Sequence, residues 1–115
     1  RHDADLVLTP RIDDAHQDHR LVGALASTVW RDSLILRYEI PKWDGDLGAP
    51  SHFVGLDRAM ANRKIELLRR GFPSQAGRDW WDDEVFLGLM RLRGMETRTP
   101  YAEGFFVSKA LVDVG

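Results

Sequence analysis

The sequence predicts an α/β domain, a layered sandwich in which parallel strands are buried on both faces by helices. Three observations point there. Short apolar runs such as Leu6-Val-Leu8 and Leu34-Ile-Leu36 alternate along the chain with longer stretches of helical spacing. Proline, glycine and aspartate punctuate the changes from one to the other. The 115 residues, 43% of them hydrophobic and 30% charged, suffice for the core of one modest domain and not two.

Asp5 to Thr9 reads as a buried strand stopped by Pro10, with a polar loop from Arg11 to His16 behind it. From Asp18 to Trp30 the positions Leu21, Leu25 and Val29, flanked by Val22 and Ala26, follow helical spacing, and Asp18 is a candidate cap. Leu34 to Ile40 reads as the second strand, closed by Pro41. Lys42 to Pro50, with two glycines and two aspartates, is a loop. His52 to Val54 reads as a short strand. Asp57 is a plausible N-cap for a helix to Arg70, its apolar side Met60, Ala61, Ile65 and Leu68 and its terminator Gly71. Pro73 to Arg78 is a polar loop. Asp79 is the expected cap of a third helix with Trp81, Val85, Leu89 and Leu92 on one face and Gly94 at its end. A last strand is expected within Phe105 to Val112.

The charge is -2, from 16 basic and 18 acidic side chains, which gives no electrostatic case for nucleic acid or an anionic membrane as partner. No stretch approaches the roughly 20 apolar residues of a membrane span. Cysteine is absent, which excludes disulfides and thiolate metal sites and fits a cytoplasmic location.

Open α/β sheets place their sites beyond the carboxyl ends of strands. The segment Asp13-Asp-Ala-His-Gln-Asp-His-Arg20 lies there, and seven of its eight residues can bind a metal, a proton or an anion. A catalytic zinc takes three protein ligands and keeps one position for water, which it activates as a nucleophile. His16 and His19 stand three residues apart at a loop-to-helix junction, so both rings can face one cavity. Asp18 can orient an imidazole. The bare His-x-x-His spacing is equally that of two surface histidines beside a helix cap.

More of the chain narrows the choice. Asp5-Leu-Val-Leu-Thr-Pro10, followed by His16-Gln-Asp-His19-Arg20 opening a helix, resembles the PIG-L-type de-N-acetylases, also called LmbE-like proteins. Tyr38-Glu-Ile-Pro-Lys-Trp-Asp-Gly-Asp-Leu-Gly48 is similar to the second strand and loop of bacterial members. Lys64 to Leu68 with Phe72-Pro-Ser-Gln75 is similar to their next helix and turn, and Pro100-Tyr-Ala-Glu-Gly-Phe105 to their closing motif. The resemblance covers almost the whole chain in the expected order.

The resemblance implies a Rossmann-like three-layer αβα sandwich with a mostly parallel sheet, and a zinc-dependent hydrolase that removes an N-acetyl group from an amino sugar or its conjugate. It implies a metal ligand at His19. It implies at His16 the general acid that helps the amine leave or steadies the oxyanion, and at Asp18 a catalytic group that orients the pair. Iron is compatible with such a donor set. Some members carry a tyrosine two residues before the first histidine to help the oxyanion; here that residue is Asp14, so the help must come from elsewhere. The family's His-Pro-Asp-Asp-Glu motif, which supplies the other metal ligands and the base, has no match, and Arg1-His2-Asp3 is not a version of it. The expectation is therefore that residues 1–115 form the C-terminal part of a single deacetylase domain, with its N-terminal half as the necessary partner and an oligomer compatible.

Substrate-side candidates are Arg11 and Asp14, with Asp13, on the loop before His16; Trp43 on the glycine-rich loop beside Asp44 and Asp46; and Glu103 in the closing motif, facing the cleft or paired with an arginine. Each has an ordinary alternative as a solvated loop charge or a packed ring. Trp81 is expected in the core and Trp80 on a partner surface. His2 and His52 have no sequence neighbours that suggest chemistry. A non-catalytic sugar-binding module with the same fold is the competing reading. A dinucleotide-binding protein would need a Gly-x-Gly-x-x-Gly, which does not occur.

Overall fold

A computed structural model describes residues 3–75, 77–78 and 81–115. The elements are β1 (Leu6–Thr9), α1 (Gln17–Val29), β2 (Leu34–Tyr38), β3 (His52–Leu56), α2 (Arg58–Gly71), α3 (Asp83–Thr97) and β4 (Tyr101–Phe106). Among the described residues the class is α/β, with one four-stranded sheet in the order β1-β2-β4-β3 and three helices. The sheet is mixed, where a mostly parallel one was expected. β1 and β2 run parallel, Leu6 opposite Leu34 through Thr9 opposite Arg37. β2 and β4 run antiparallel, with Arg37 opposite Phe106 and Tyr38 opposite Phe105. No helix among the described residues is long and apolar enough to cross a membrane.

The chain divides into two units. The first holds the residues up to Ile40 with Asp46–His52 and Phe105–Gly115; the second holds Pro41–Gly45 and Phe53–Gly104.

In the first unit, α1 approaches the loop behind β1 through its small residues. A Cβ at Gly23 would stand 2.8 Å from the Pro10 carbonyl oxygen and 2.9 Å from that of Arg11. Gly23 and Ala26 are the buried residues of α1. The large apolar positions expected to face a core lie open instead: Leu21, Val22 and Leu25 are each more than half exposed. Leu6 and Leu8 on β1, the strand at one end of the sheet, are also more than half exposed. Four polar side chains, those of Thr9, Arg11, Asp14 and Arg37, are buried in this unit beside Ala26 and Phe105.

The second unit has an apolar core of Ala61, Ile65 and Met90, with Leu56, Phe86, Leu87 and Tyr101 against it. Asp57 caps α2 as expected, accepting from the Met60 amide at 2.8 Å. Gly71 is the last helical residue of α2 and does not adopt a left-handed stop; the capping position falls to Phe72. Asp82 caps α3, accepting from the Val85 amide at 2.9 Å. The expected cap Asp79, with Trp80 and His2, lies outside the described residues. Trp81 precedes α3 and packs edge-on to Phe86 with ring centroids 4.8 Å apart.

Two boundaries expected here are corrected. Gly94 does not end α3. It sits inside the helix because a Cβ there would lie 2.7 and 2.8 Å from the carbonyl oxygens of Thr99 and Pro100. The left-handed cap is Arg98, at φ 59°. The buried seam runs through Met90, Arg93 and Gly94, while Leu92 is exposed. The final strand is Tyr101–Phe106 rather than a segment within Phe105 to Val112. Ala102 and Gly104 are buried on it, small residues that a β-propensity reading discounts.

Candidate functional site

The loop between β1 and α1 is held from several sides, all within the first unit. Arg11, almost fully buried, donates from Nε and Nη2 to the Asp13 carboxylate at 3.0 Å each and from Nη1 to the Asp46 carbonyl at 2.6 Å. Its guanidinium lies 4.3 Å from the centre of the Phe106 ring. These contacts make Arg11 a brace for the loop and leave little of it for a sugar. Asp46, a candidate sugar contact by sequence, accepts from the Ala15 amide at 2.8 Å. Arg20 donates to the carbonyls of Asp14 and Ala15, both at 2.8 Å.

Asp14 is the centre of the arrangement. Its side chain is 1% exposed. Oδ1 accepts from the His16 amide at 2.8 Å and stands 3.3 Å from His19 Nδ1. That second approach is within ion-pair reach but off the line of a hydrogen bond, and His19 Nδ1 has no hydrogen-bond partner although it is buried.

His16 caps α1 in place of Asp18. Its Nδ1 accepts from the Asp18 amide at 3.1 Å. An accepting Nδ1 leaves the proton of the neutral ring on Nε2. The rings of His16 and His19 stack, with centroids 4.4 Å apart and planes 21° apart. The three-residue spacing sets the two imidazoles against each other. Asp18 enters through its backbone amide, and its carboxylate lies exposed in the first turn of α1, where the helix dipole favours it. The carboxylate beside a histidine is that of Asp14.

Sequence reasoning did not single out Tyr38. Burial raises its phenol above the usual value, and the negative charge of Asp14 raises it further. The signal was in the register: Tyr38 follows Arg37, the β2 partner of Thr9, where β1 ends and the histidine loop begins.

Trp43 and Glu103 belong to the second unit. Trp43 is 74% exposed, so it does not pack against a strand. Glu103 pairs with Lys64, Nζ to Oε2 at 2.9 Å, with both side chains one-third exposed. Tyr101 accepts a hydrogen bond from Arg58. His52 stands 2.8 Å from the Ser51 hydroxyl through Nδ1.

A zinc site needs three protein donors around one point. Among the described residues no three His, Cys, Asp or Glu side chains are so placed. Asp14 already serves the His16 amide, and His16 Nδ1 serves the cap. Among the described residues the donor set therefore does not make up a complete three-ligand metal centre. No family model matches the chain, and no curated protein matches it.

Proposed function

We propose that this chain supplies one side of a metal-dependent N-deacetylase site of the PIG-L type, acting on an N-acetylated amino sugar or its conjugate. The observation that carries the reading is the stacked His16–His19 pair over a buried carboxylate, at the start of the helix that follows the first strand. On this reading His19 is the one ligand the chain contributes to zinc or iron, and the remaining donors come from another segment. The open apolar face of β1 and α1 supports this, because exposed leucines on an end strand and its neighbouring helix are what a missing layer would cover. Completed in that way, the mixed sheet becomes part of a Rossmann-like three-layer sandwich in the cytoplasm.

The roles of the chain's own groups follow from their hydrogen bonds. With Nδ1 engaged by the cap, His16 presents Nε2–H as a donor, which suits steadying an oxyanion better than giving a proton away. Asp14 fixes the backbone of His16 and faces His19 Nδ1, the orienting role expected of Asp18. Tyr38, held protonated by burial and by Asp14, is the candidate hydroxyl for the help that a tyrosine at position 14 would have given. The test is acetate release from N-acetylglucosamine by the open reading frame extended upstream of Arg1, in wild-type, His16→Ala and His19→Ala forms. Loss of release in both variants with folding intact supports the reading; release that survives His19→Ala removes it.

A second reading has an observation of its own. The absence of three converging donors among the described residues is what a non-catalytic sugar-binding module would show. An extended protein that binds N-acetylglucosamine without releasing acetate would establish it.

A further inference from the structure

The first unit buries a second cation that the deacetylase reading leaves unused. Arg37, in the middle strand pair, is 3% exposed. Its hydrogen bonds all go to neutral acceptors: Nη1 to the Gly23 carbonyl at 2.8 Å and the Pro10 carbonyl at 3.3 Å, and Nη2 to the Ser27 hydroxyl at 2.7 Å. Nε has no partner. No carboxylate among the described residues pairs with it. Burial lowers its pKa, yet a guanidinium remains charged at neutral pH. A buried charge without a counter-charge is costly, and an anion beside it would relieve that cost.

Space for one lies next to it. Arg37 lines a cavity of about 450 Å³ together with Arg31, Lys109 and the hydroxyl residues Ser27, Ser33 and Ser108. The volume falls in the range of small-molecule sites. Among the described residues Asp32 is its only carboxylate, so the three cations leave two positive charges in excess. Arg31 and Lys109 are exposed and Arg37 is buried, which grades the site from a wet rim to a dry cation. Guanidinium and hydroxyl groups are the donors that tetrahedral oxyanions take, and a phosphate monoester carries about −1.5 to −2 charges at neutral pH.

We propose that this cavity binds a phosphate dianion, free or carried on a small molecule, between Arg37 and the rim cations Arg31 and Lys109. The proposal does not rest on the deacetylase reading, because none of these residues belongs to the histidine loop.

Calorimetric titration of the 115-residue chain with inorganic phosphate tests it, with chloride at matched ionic strength as the blank and acetate as the carboxylate comparison. The expected result is saturable binding near one phosphate per chain, weakened roughly tenfold or more in the double variant Arg31→Ala with Lys109→Ala, as loss of charged donors predicts. Both residues are exposed, so this variant keeps the fold. Arg37→Met should abolish binding, and if circular dichroism shows it unfolded, the double variant decides alone. Titration with glucose 6-phosphate separates the sources. Tighter binding than phosphate identifies a phosphorylated small molecule, and equal binding identifies free phosphate. Heats no different from chloride, phosphate affinity unchanged in the double variant, or acetate binding as tight as phosphate would each overturn the proposal, the last in favour of a polypeptide carboxylate.

Discussion

His19 Nδ1 stands 3.3 Å from the carboxylate of Asp14, a side chain only 1% exposed, and the same carboxylate oxygen accepts the His16 amide at 2.8 Å. One buried acid thus sets both the backbone of the first histidine and the surroundings of the second. Asp14→Ala leaves the His16 amide without its acceptor and should cost about 1–3 kcal/mol of stability. Asp14→Asn keeps an acceptor and should recover much of it. Urea unfolding followed by circular dichroism measures both. Equal loss in the two variants would mean that Asp14 acts through its charge rather than through that hydrogen bond.

The position of the histidine loop depends on Gly23. A methyl group there meets two carbonyl oxygens at 2.8 and 2.9 Å, so Gly23→Ala should destabilise by about 1–3 kcal/mol despite the better helix propensity of alanine. Gly71→Ala is the control, because nothing lies within 4 Å of a Cβ at that position. It should be neutral or stabilising, and the contrast is read from the two urea midpoints.

Tyr38 ties stability to alkaline pH. Its folded pKa is raised above the usual value of about 10, so between the unfolded and folded values the native state holds more protons than the unfolded one. Its contribution is present in full below about pH 10 and is lost as pH rises through the raised value. Tyr38→Phe should flatten the fall in stability above that pH. Phenolate absorbance should show a component ionising above about pH 10 that disappears in Tyr38→Phe, and its absence would contradict the half-buried placement beside Asp14.

The apolar face of the first unit should make the isolated chain self-associate. Leu6, Leu8, Leu21 and Leu25 are each more than half exposed. Leu21→Lys with Leu25→Glu should lower the concentration dependence of the sedimentation coefficient without loss of helix signal. A monomer at all concentrations before substitution would remove the argument that this face awaits a cover.

Much of the element order was legible because its signals are local. The apolar runs at Leu6 and Leu34, the stop at Pro10 and the cap at Asp57 each depend on a few neighbouring residues. What was not legible depends on distant contacts. Nothing near Gly94 in sequence reveals that the carbonyls of Thr99 and Pro100 press on it, so it reads as a helix stop. In α1 the leucine spacing was recognised, but the side that packs is the one carrying Gly23 and Ala26. The site followed the same rule. The closeness of His16 to His19 follows from their three-residue spacing and was readable, whereas the presence of Asp14 rather than Asp18 beside His19 depends on which carboxylate the loop buries. Arg11 and Glu103 read as substrate contacts because their partners, the Asp46 carbonyl and Lys64, are 35 and 39 residues away.

On the proposed function, His19 is a ligand of a metal centre that the described residues do not complete. Elemental analysis of zinc in the isolated chain and in the reading frame extended upstream, each with and without His19→Ala, tests it most directly. The account predicts well under one zinc in the isolated chain, and about one in the extended protein that is lost with His19→Ala. One zinc held by the isolated chain, or zinc in the extended protein indifferent to His19→Ala, would contradict it.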